Sequence, residues 1–152
     1  MVDVDTEIVA LFLETEGYFV RLSVRYDSAR PLADIDILAV NPKIGDKIWG
    51  EVKGWLESKQ KWPKSWDKYV EKAFTDAKEQ YVRDVLGNNF RKICYLPLGR
   101  ASRDLEKRLK SKGIDVFDLS EVARKLRAKS EDASLSITDR ALRLLRILEM
   151  RV

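Results

Sequence analysis

Residues 34–54 read DIDILAVNPKIGDKIWGEVKG and contain two strand-like segments joined by a turn signal at residues 41–45. Side chains on a β-strand point alternately to its two faces. The first segment is therefore predicted to carry both acids, Asp34 and Asp36, on one face and both isoleucines, Ile35 and Ile37, on the other. Two acids thus enter a strand that is otherwise apolar.

The second segment carries a carboxylate and an ammonium as neighbours. The same period of two places Trp49, Glu51 and Lys53 on a single face. A connection this short favours antiparallel pairing of the two segments, which would bring Asp36 and Glu51 within about 5 Å of each other across the strands. Two carboxylates at that distance repel each other unless a cation lies between them.

A hard divalent cation suits such a pair of carboxylates. Mg²⁺ prefers oxygen ligands and is usually held by one or two carboxylates together with waters and phosphate oxygens, and Mn²⁺ should substitute for it. A bound ion can polarise a phosphodiester and activate a water nucleophile, while Lys53 can orient that water and offset developing charge. The residues therefore predict metal-dependent phosphodiester hydrolysis, with Asp36, Glu51 and Lys53 as the catalytic centre.

These residues also resemble the PD-(D/E)xK nuclease superfamily, which includes restriction endonucleases and archaeal Holliday-junction resolvases, through Asp36 and the run Glu51-Val52-Lys53. The resemblance implies that Asp36 and Glu51 are metal ligands, that Lys53 is the catalytic lysine, and that Glu7 on the first helix is a further metal ligand. It also implies an accessory role for Gln80 on the long helix, and Asp34, which fits the acid position less well than Asp36, is a second accessory candidate. The chain departs from the superfamily pattern in having Ile35, rather than proline, before Asp36.

Hydrophobic periodicity and turn residues predict a mixed α/β fold around these strands. Predicted helices cover residues 5–16, 65–86, 102–112 and 120 to about 128, and predicted strands cover residues 18–26, 34–40, 47–54, 92–98 and 114–117. The order of helix, three-strand meander, helix, strand, helix and strand predicts a mixed sheet with helices on both sides. The resemblance implies the same restriction-endonuclease-like architecture, with extra C-terminal helices.

The stripe predicted to be buried on helix 65–86 comprises Trp66, Tyr69, Val70, Ala73, Phe74, Ala77 and Tyr81. Residues 1–128 are interpreted as the nuclease-like domain, 129–136 as a polar linker, and 137–152 as an amphipathic C-terminal helix. That helix would dock on its own domain, contact a partner, or present a basic surface to DNA.

The overall composition excludes several classes of site. The chain has 152 residues and no histidine, so histidine-based zinc sites and Ser-His or Cys-His nucleophiles are excluded. Its single cysteine, Cys94, lies in an apolar run and predicts a buried thiol in a reducing cytoplasm. There is no apolar run near the roughly 20 residues that a membrane span needs, and no secretory leader is expected. Many Lys, Arg and Glu beside few Asn and Gln resemble a thermophile's composition.

Several lysines and tryptophans follow the second strand directly, and the net charge of +4 favours a polyanionic partner. The candidate DNA-binding residues in this segment are Trp55, Lys59, Lys61, Trp62 and Lys64. If exposed, the tryptophans could stack on bases and the lysines could hold phosphates. The alternative is that the tryptophans anchor the loop to the core and the lysines are solvated.

Three functions remain open at this point. The first is a Mg²⁺-dependent DNA endonuclease acting in restriction, repair or recombination, for which a homodimer would suit cleavage of two strands. The second is a nuclease fold retained as a non-catalytic nucleic-acid-binding or assembly module. The third is an unrelated α/β protein in which the acids are structural, for example paired with arginine.

Overall fold

A computed structural model of the chain describes residues 4–27, 34–53, 65–97 and 103–130. The helices are α1 (Val4–Thr15), α2 (Ser65–Glu71), α3 (Asp76–Leu86), α4 (Arg103–Ser111) and α5 (Leu119–Ser130). The strands are β1 (Phe19–Arg25), β2 (Asp34–Asn41), β3 (Asp46–Val52), β4 (Arg91–Leu96) and β5 (Ile114–Asp118). The mixed α/β fold predicted from the sequence is confirmed.

The five strands form one sheet in the order β1-β2-β3-β4-β5. The first three strands are an antiparallel meander, as the short connections predict, and β4 and β5 are parallel to β3. Gly45 closes the turn between β2 and β3 with a φ of 69°, a conformation that a side chain disfavours. The two strands that carry the candidate acids are therefore hydrogen-bonded neighbours.

Helices cover both faces of the sheet. On one face, α1 and α5 pack through residues such as Ile8 and Leu126 against the sheet residues Ile37 and Ile93. On the other, α2, α3 and α4 cover a core that includes Trp49, whose ring centroid lies 5.0 Å from that of Phe74. Because Trp49, Glu51 and Lys53 share a strand face, the candidate site lies on this second side.

The long helix predicted over residues 65–86 is wrong in one respect, because it is two helices separated at residues 72–75. Thr75 has extended backbone angles and its side chain accepts a hydrogen bond from the backbone N–H of Lys78, so it begins α3 as an N-cap. Asp76 and Glu79 in the first turn of α3 add a favourable interaction with the helix dipole. A local cap has overridden the apolar periodicity.

This break also moves the buried stripe. Tyr69 and Ala77 are exposed, Tyr81 is half-buried, and α3 instead buries Lys78, Val82 and Leu86. Val70 and Ala73 are buried and Phe74 is half-buried, as predicted. The side chain of Trp66 lies outside the described residues.

The helix predicted to end near Ala128 continues to Ser130, into the predicted linker. Residues 131–152, including the predicted C-terminal helix, lie outside the described residues, so the division into domain, linker and helix stays a prediction. None of the described helices is long and apolar enough to cross a membrane.

Candidate active site

The alternation of β2 changes at Asp36. Ile35 packs in the core beneath α3, whereas Ile37 packs in the core beneath α1, so the prediction that these two isoleucines share a face is wrong. Leu22 pairs with Ile37 and Val24 with Ile35, which leaves Ser23 opposite Asp36. Ser23 has a φ of 48°, a left-handed conformation that is uncommon for residues other than glycine. This irregular residue interrupts both strands at the level of the candidate acid.

Asp36 is held by two donors from β3 and the residue after it. Its Oδ2 accepts a hydrogen bond from the backbone N–H of Val52 at 2.9 Å and another from the Lys53 ammonium at 3.2 Å. The side chain of Asp36 is 24% exposed and that of Lys53 is 13% exposed. The antiparallel pairing of β2 and β3 thus brings together two of the residues predicted to be catalytic.

Glu51 is the third member of the group, and its side chain is fully buried. Its Oε1 accepts hydrogen bonds from the indole N–H of Trp49 and from the ammonium of Lys78, both at 3.0 Å. Its Oε2 has no hydrogen-bond partner among the described residues and lies 3.6 Å from the Lys53 ammonium. A buried carboxylate oxygen without a donor is costly, so its position requires an explanation.

Burial raises the pKa of Glu51 to about 7, and the nearby charge of Asp36 acts in the same direction, while Lys78 and Lys53 oppose the shift. Burial alone would lower the pKa of Lys53, but the charges of Asp36 and Glu51 outweigh it and raise that pKa. Lys53 is therefore an ammonium at neutral pH, whereas Glu51 is poised between its two forms.

The donor set fits a hard divalent cation. The unpartnered Oε2 of Glu51 and the carboxylate of Asp36 are oxygen ligands on one side of the sheet, and two carboxylates are the usual protein contribution to a Mg²⁺ site. Among residues 4–27, 34–53, 65–97 and 103–130, no three acidic or cysteine side chains form a cluster that could hold a metal. Within the described part of the chain, Asp36 and Glu51 are thus the carboxylates that such a site would use.

No protein-family model and no curated protein sequence matches the chain. Among solved structures, the chain is similar to the crystal structure of AF1548, a protein of unknown function, with a TM-score of 0.56 and 16% identity, covering 96% of this chain and 79% of that one. A repair endonuclease from Pyrococcus abyssi matches with a TM-score of 0.44 and 16% identity, covering 75% of this chain and 46% of that one. The likeness to AF1548 shows a shared fold, and the function must be argued from the site.

Gln80 and Asp34, which were predicted to have accessory roles, have polar partners outside this group. Gln80 is exposed on α3 and donates a hydrogen bond to Asp84 of the same helix at 3.0 Å, so it does not point toward Glu51. Asp34 pairs in register with Arg25, whose guanidinium lies 3.9 Å away. Pairing of a strand acid with arginine is the structural role that the sequence analysis gave as an alternative to a catalytic one.

Glu7 lies in the first turn of α1, in the helix layer on the opposite face of the sheet. The described residues contain no cluster of three potential ligands, and the role of Glu7 as a metal ligand stays a prediction. The candidate DNA-binding residues Trp55, Lys59, Lys61, Trp62 and Lys64 lie outside the described residues.

Sequence reasoning missed Lys78, which is buried against Glu51. A signal was present, because Lys78 precedes Val82 and Leu86 at helical spacing and so falls on the apolar stripe of α3. The prediction of one continuous helix concealed this stripe, since it placed Ala77 and Tyr81 on the buried side. A lysine on an apolar stripe indicates a buried acidic partner.

Proposed function

We propose that this protein is a metal-dependent nuclease that hydrolyses phosphodiester bonds in DNA, with Asp36, Glu51 and Lys53 as its catalytic residues. The observation that carries the proposal is the buried Oε2 of Glu51, to which no group in the described part of the chain donates a hydrogen bond and which faces Lys53 beside Asp36. A carboxylate oxygen left without a donor among residues of this chemistry is suited to a cation.

Asp36 and Glu51 would hold the metal, for which Mg²⁺ is the first candidate and Mn²⁺ a substitute. When bound, such an ion supplies a Lewis acid for the phosphoryl oxygen and lowers the pKa of a water nucleophile. Asp36 is the more exposed of the two ligands, so the approach for solvent and substrate lies on its side. Glu51 lies beneath it, with no exposed surface.

Lys53 would act as a donor rather than as a base. Its pKa is raised by the two carboxylates, so the side chain keeps its proton at neutral pH and cannot abstract one from water. An ammonium held between Asp36 and Glu51 can instead orient the attacking water and stabilise negative charge on the phosphoryl oxygens. The proton released by water must therefore go to another acceptor.

A specific observation favours a second candidate, the non-catalytic nucleic-acid-binding module. Asp36 and Glu51 are in contact with two ammonium groups, Lys53 and Lys78, so the charges of the four side chains cancel. A balanced cluster of this kind can remain folded without any metal. The nuclease and the module are distinguished by whether the cluster supports cleavage.

The deciding experiment compares wild type with Asp36→Asn, Lys53→Met and the control Lys92→Met, whose salt bridge to Glu79 lies outside the site. Linear duplex, single-stranded and four-way-junction DNA would be incubated with Mg²⁺, Mn²⁺ or chelator, and circular dichroism would verify each fold. We expect metal-dependent cleavage by wild type and the control and at least about 100-fold slower cleavage by the site variants.

Equal cleavage by Asp36→Asn and wild type would refute the catalytic assignment. Binding of DNA by wild type without cleavage of any substrate in either metal would instead support the module. Light scattering on the wild type, with and without DNA, would test the homodimer expected for cleavage of two strands.

A further inference from the structure

Lys78 contacts the candidate site from the helical layer. Its side chain is only 11% exposed, and its ammonium lies 3.0 Å from Oε1 of Glu51 and 5.9 Å from the centroid of the Tyr26 ring. A buried ammonium without an anionic partner is strongly unfavourable. Lys78 and Glu51 therefore depend on each other in the folded state.

The backbone of Lys78 is as constrained as its side chain. Thr75 caps α3 by accepting a hydrogen bond from the Lys78 N–H at 3.3 Å, and Val82 and Leu86 anchor the same face of the helix in the core. The ammonium is thus delivered to Glu51 by a packed helix. Together with the indole N–H of Trp49, it occupies Oε1 and leaves Oε2 as the oxygen beside Lys53.

We propose that Lys78 is the resident counter-ion of Glu51: it compensates this buried carboxylate when no divalent cation is bound, and it thereby weakens the affinity of the site for such a cation. The part of the inference that concerns metal affinity rests on the proposed function. Lys78 is a positioning residue, because it acts through Glu51.

The physical reason is the charge balance. With Lys53 and Lys78 both present, a divalent cation enters a cluster whose net charge is zero, and each ammonium repels it. Replacing Lys78 with a neutral side chain leaves the cluster with one net negative charge. It also removes the repulsion between the Lys78 ammonium and the cation, which is strong at distances of a few ångströms in a buried site. Glutamine at position 78 keeps a donor for Oε1 without the charge.

The experiment measures Mn²⁺ binding by calorimetry at pH 8.5 for wild type, Lys78→Gln, Lys78→Met and the control Lys92→Gln. We expect both Lys78 variants to bind Mn²⁺ at least about tenfold more tightly than wild type, and the control to match wild type. Melting temperatures provide a second measurement. Without metal, both Lys78 variants should melt below wild type, and Mn²⁺ should raise their melting temperatures by more than it raises that of wild type. Unchanged or weaker Mn²⁺ binding would overturn the inference about affinity.

A double-mutant cycle in chelator tests the counter-ion role without any metal. The double variant should be more stable than the sum of the separate effects of Lys78→Gln and Glu51→Gln predicts, because neither charge is then left uncompensated. Additive effects would overturn the counter-ion role. If neither wild type nor the Lys78 variants bind Mn²⁺, the proposed metal site fails, while the cycle still decides whether Lys78 compensates Glu51.

Discussion

Replacing Glu51 with glutamine should change how the stability of the protein depends on pH. The pKa of Glu51 is raised by burial from an ordinary value of 4.5 to about 7, so the folded state binds this proton more tightly than the unfolded state does. The stabilisation of the folded state by this proton is fully present below pH 4.5 and is lost as the pH rises to about 7. Because each pKa unit corresponds to about 1.4 kcal/mol, the loss amounts to about 3 kcal/mol.

Glutamine has no proton to lose in this range. The substitution itself carries a cost, because an amide replaces the carboxyl group that Trp49 and Lys78 contact, but that cost does not depend on the ionisation of Glu51. The difference in unfolding free energy between wild type and Glu51→Gln should therefore shift by about 3 kcal/mol in favour of the variant between acid and mildly alkaline solution. Comparing the two proteins across pH separates the titration from the constant cost.

The assay is urea denaturation in chelator at intervals from pH 4.5 to 8.5, with the free energy of unfolding extrapolated to water at each pH. Glu79→Gln serves as the control, because Glu79 forms partly exposed salt bridges with Lys92 and Arg83 away from the site. Parallel stability curves for wild type and Glu51→Gln would show that Glu51 does not titrate in this window. The reasoning from its burial would then be wrong.

Three further predictions concern the residues around the site. A methyl group on Gly50 would lie 3.3 Å from Ile37 and from the Tyr95 ring, so Gly50→Ala should lower the free energy of unfolding by about 1–3 kcal/mol, measured by urea denaturation; an unchanged midpoint would contradict it. Thr75→Ala removes the cap of α3 and should cost about 1 kcal/mol by the same assay, whereas Thr75→Ser should not. Burial raises the pKa of the Cys94 thiol, so a thiol reagent should label the protein only in denaturant; rapid labelling of the native protein would show an accessible thiol.

Much of the fold follows from local patterns in the chain. The period of two in β3 placed Trp49, Glu51 and Lys53 on one face, and the hydrogen bond and ion pair among them confirm it. The sequence also predicted helix α1, the three-strand meander and the later order of strand, helix and strand. These elements depend on turn residues and apolar spacing, which can be read from a few neighbouring residues. The apolar run around Cys94 correctly predicted a buried thiol.

The wrong predictions concern segments in which hydrophobic periodicity was overridden by a neighbouring strand or by a helix cap. In β2 the alternation changes at Asp36 because the partner strand has a left-handed residue, Ser23, opposite to it, and no pattern within β2 itself carries that information. In the helical region, the cap at Thr75 broke a stripe that looked continuous. The resemblance implied an accessory role for Gln80, whose side chain is exposed on α3 and donates a hydrogen bond to Asp84.

The sequence by itself determined the five strands, most of the helices and the shared face of Glu51 and Lys53, because these depend on backbone geometry over neighbouring residues. Only the tertiary structure decided that Asp36 meets them through Val52 and Lys53, and that Lys78 balances the charge of Glu51. Lys78 and Glu51 are 27 positions apart, and their contact exists because α3 docks on the sheet at one particular rotation. That rotation is set by the packing of Val82 and Leu86 against the core around Trp49, a property of the assembled layers.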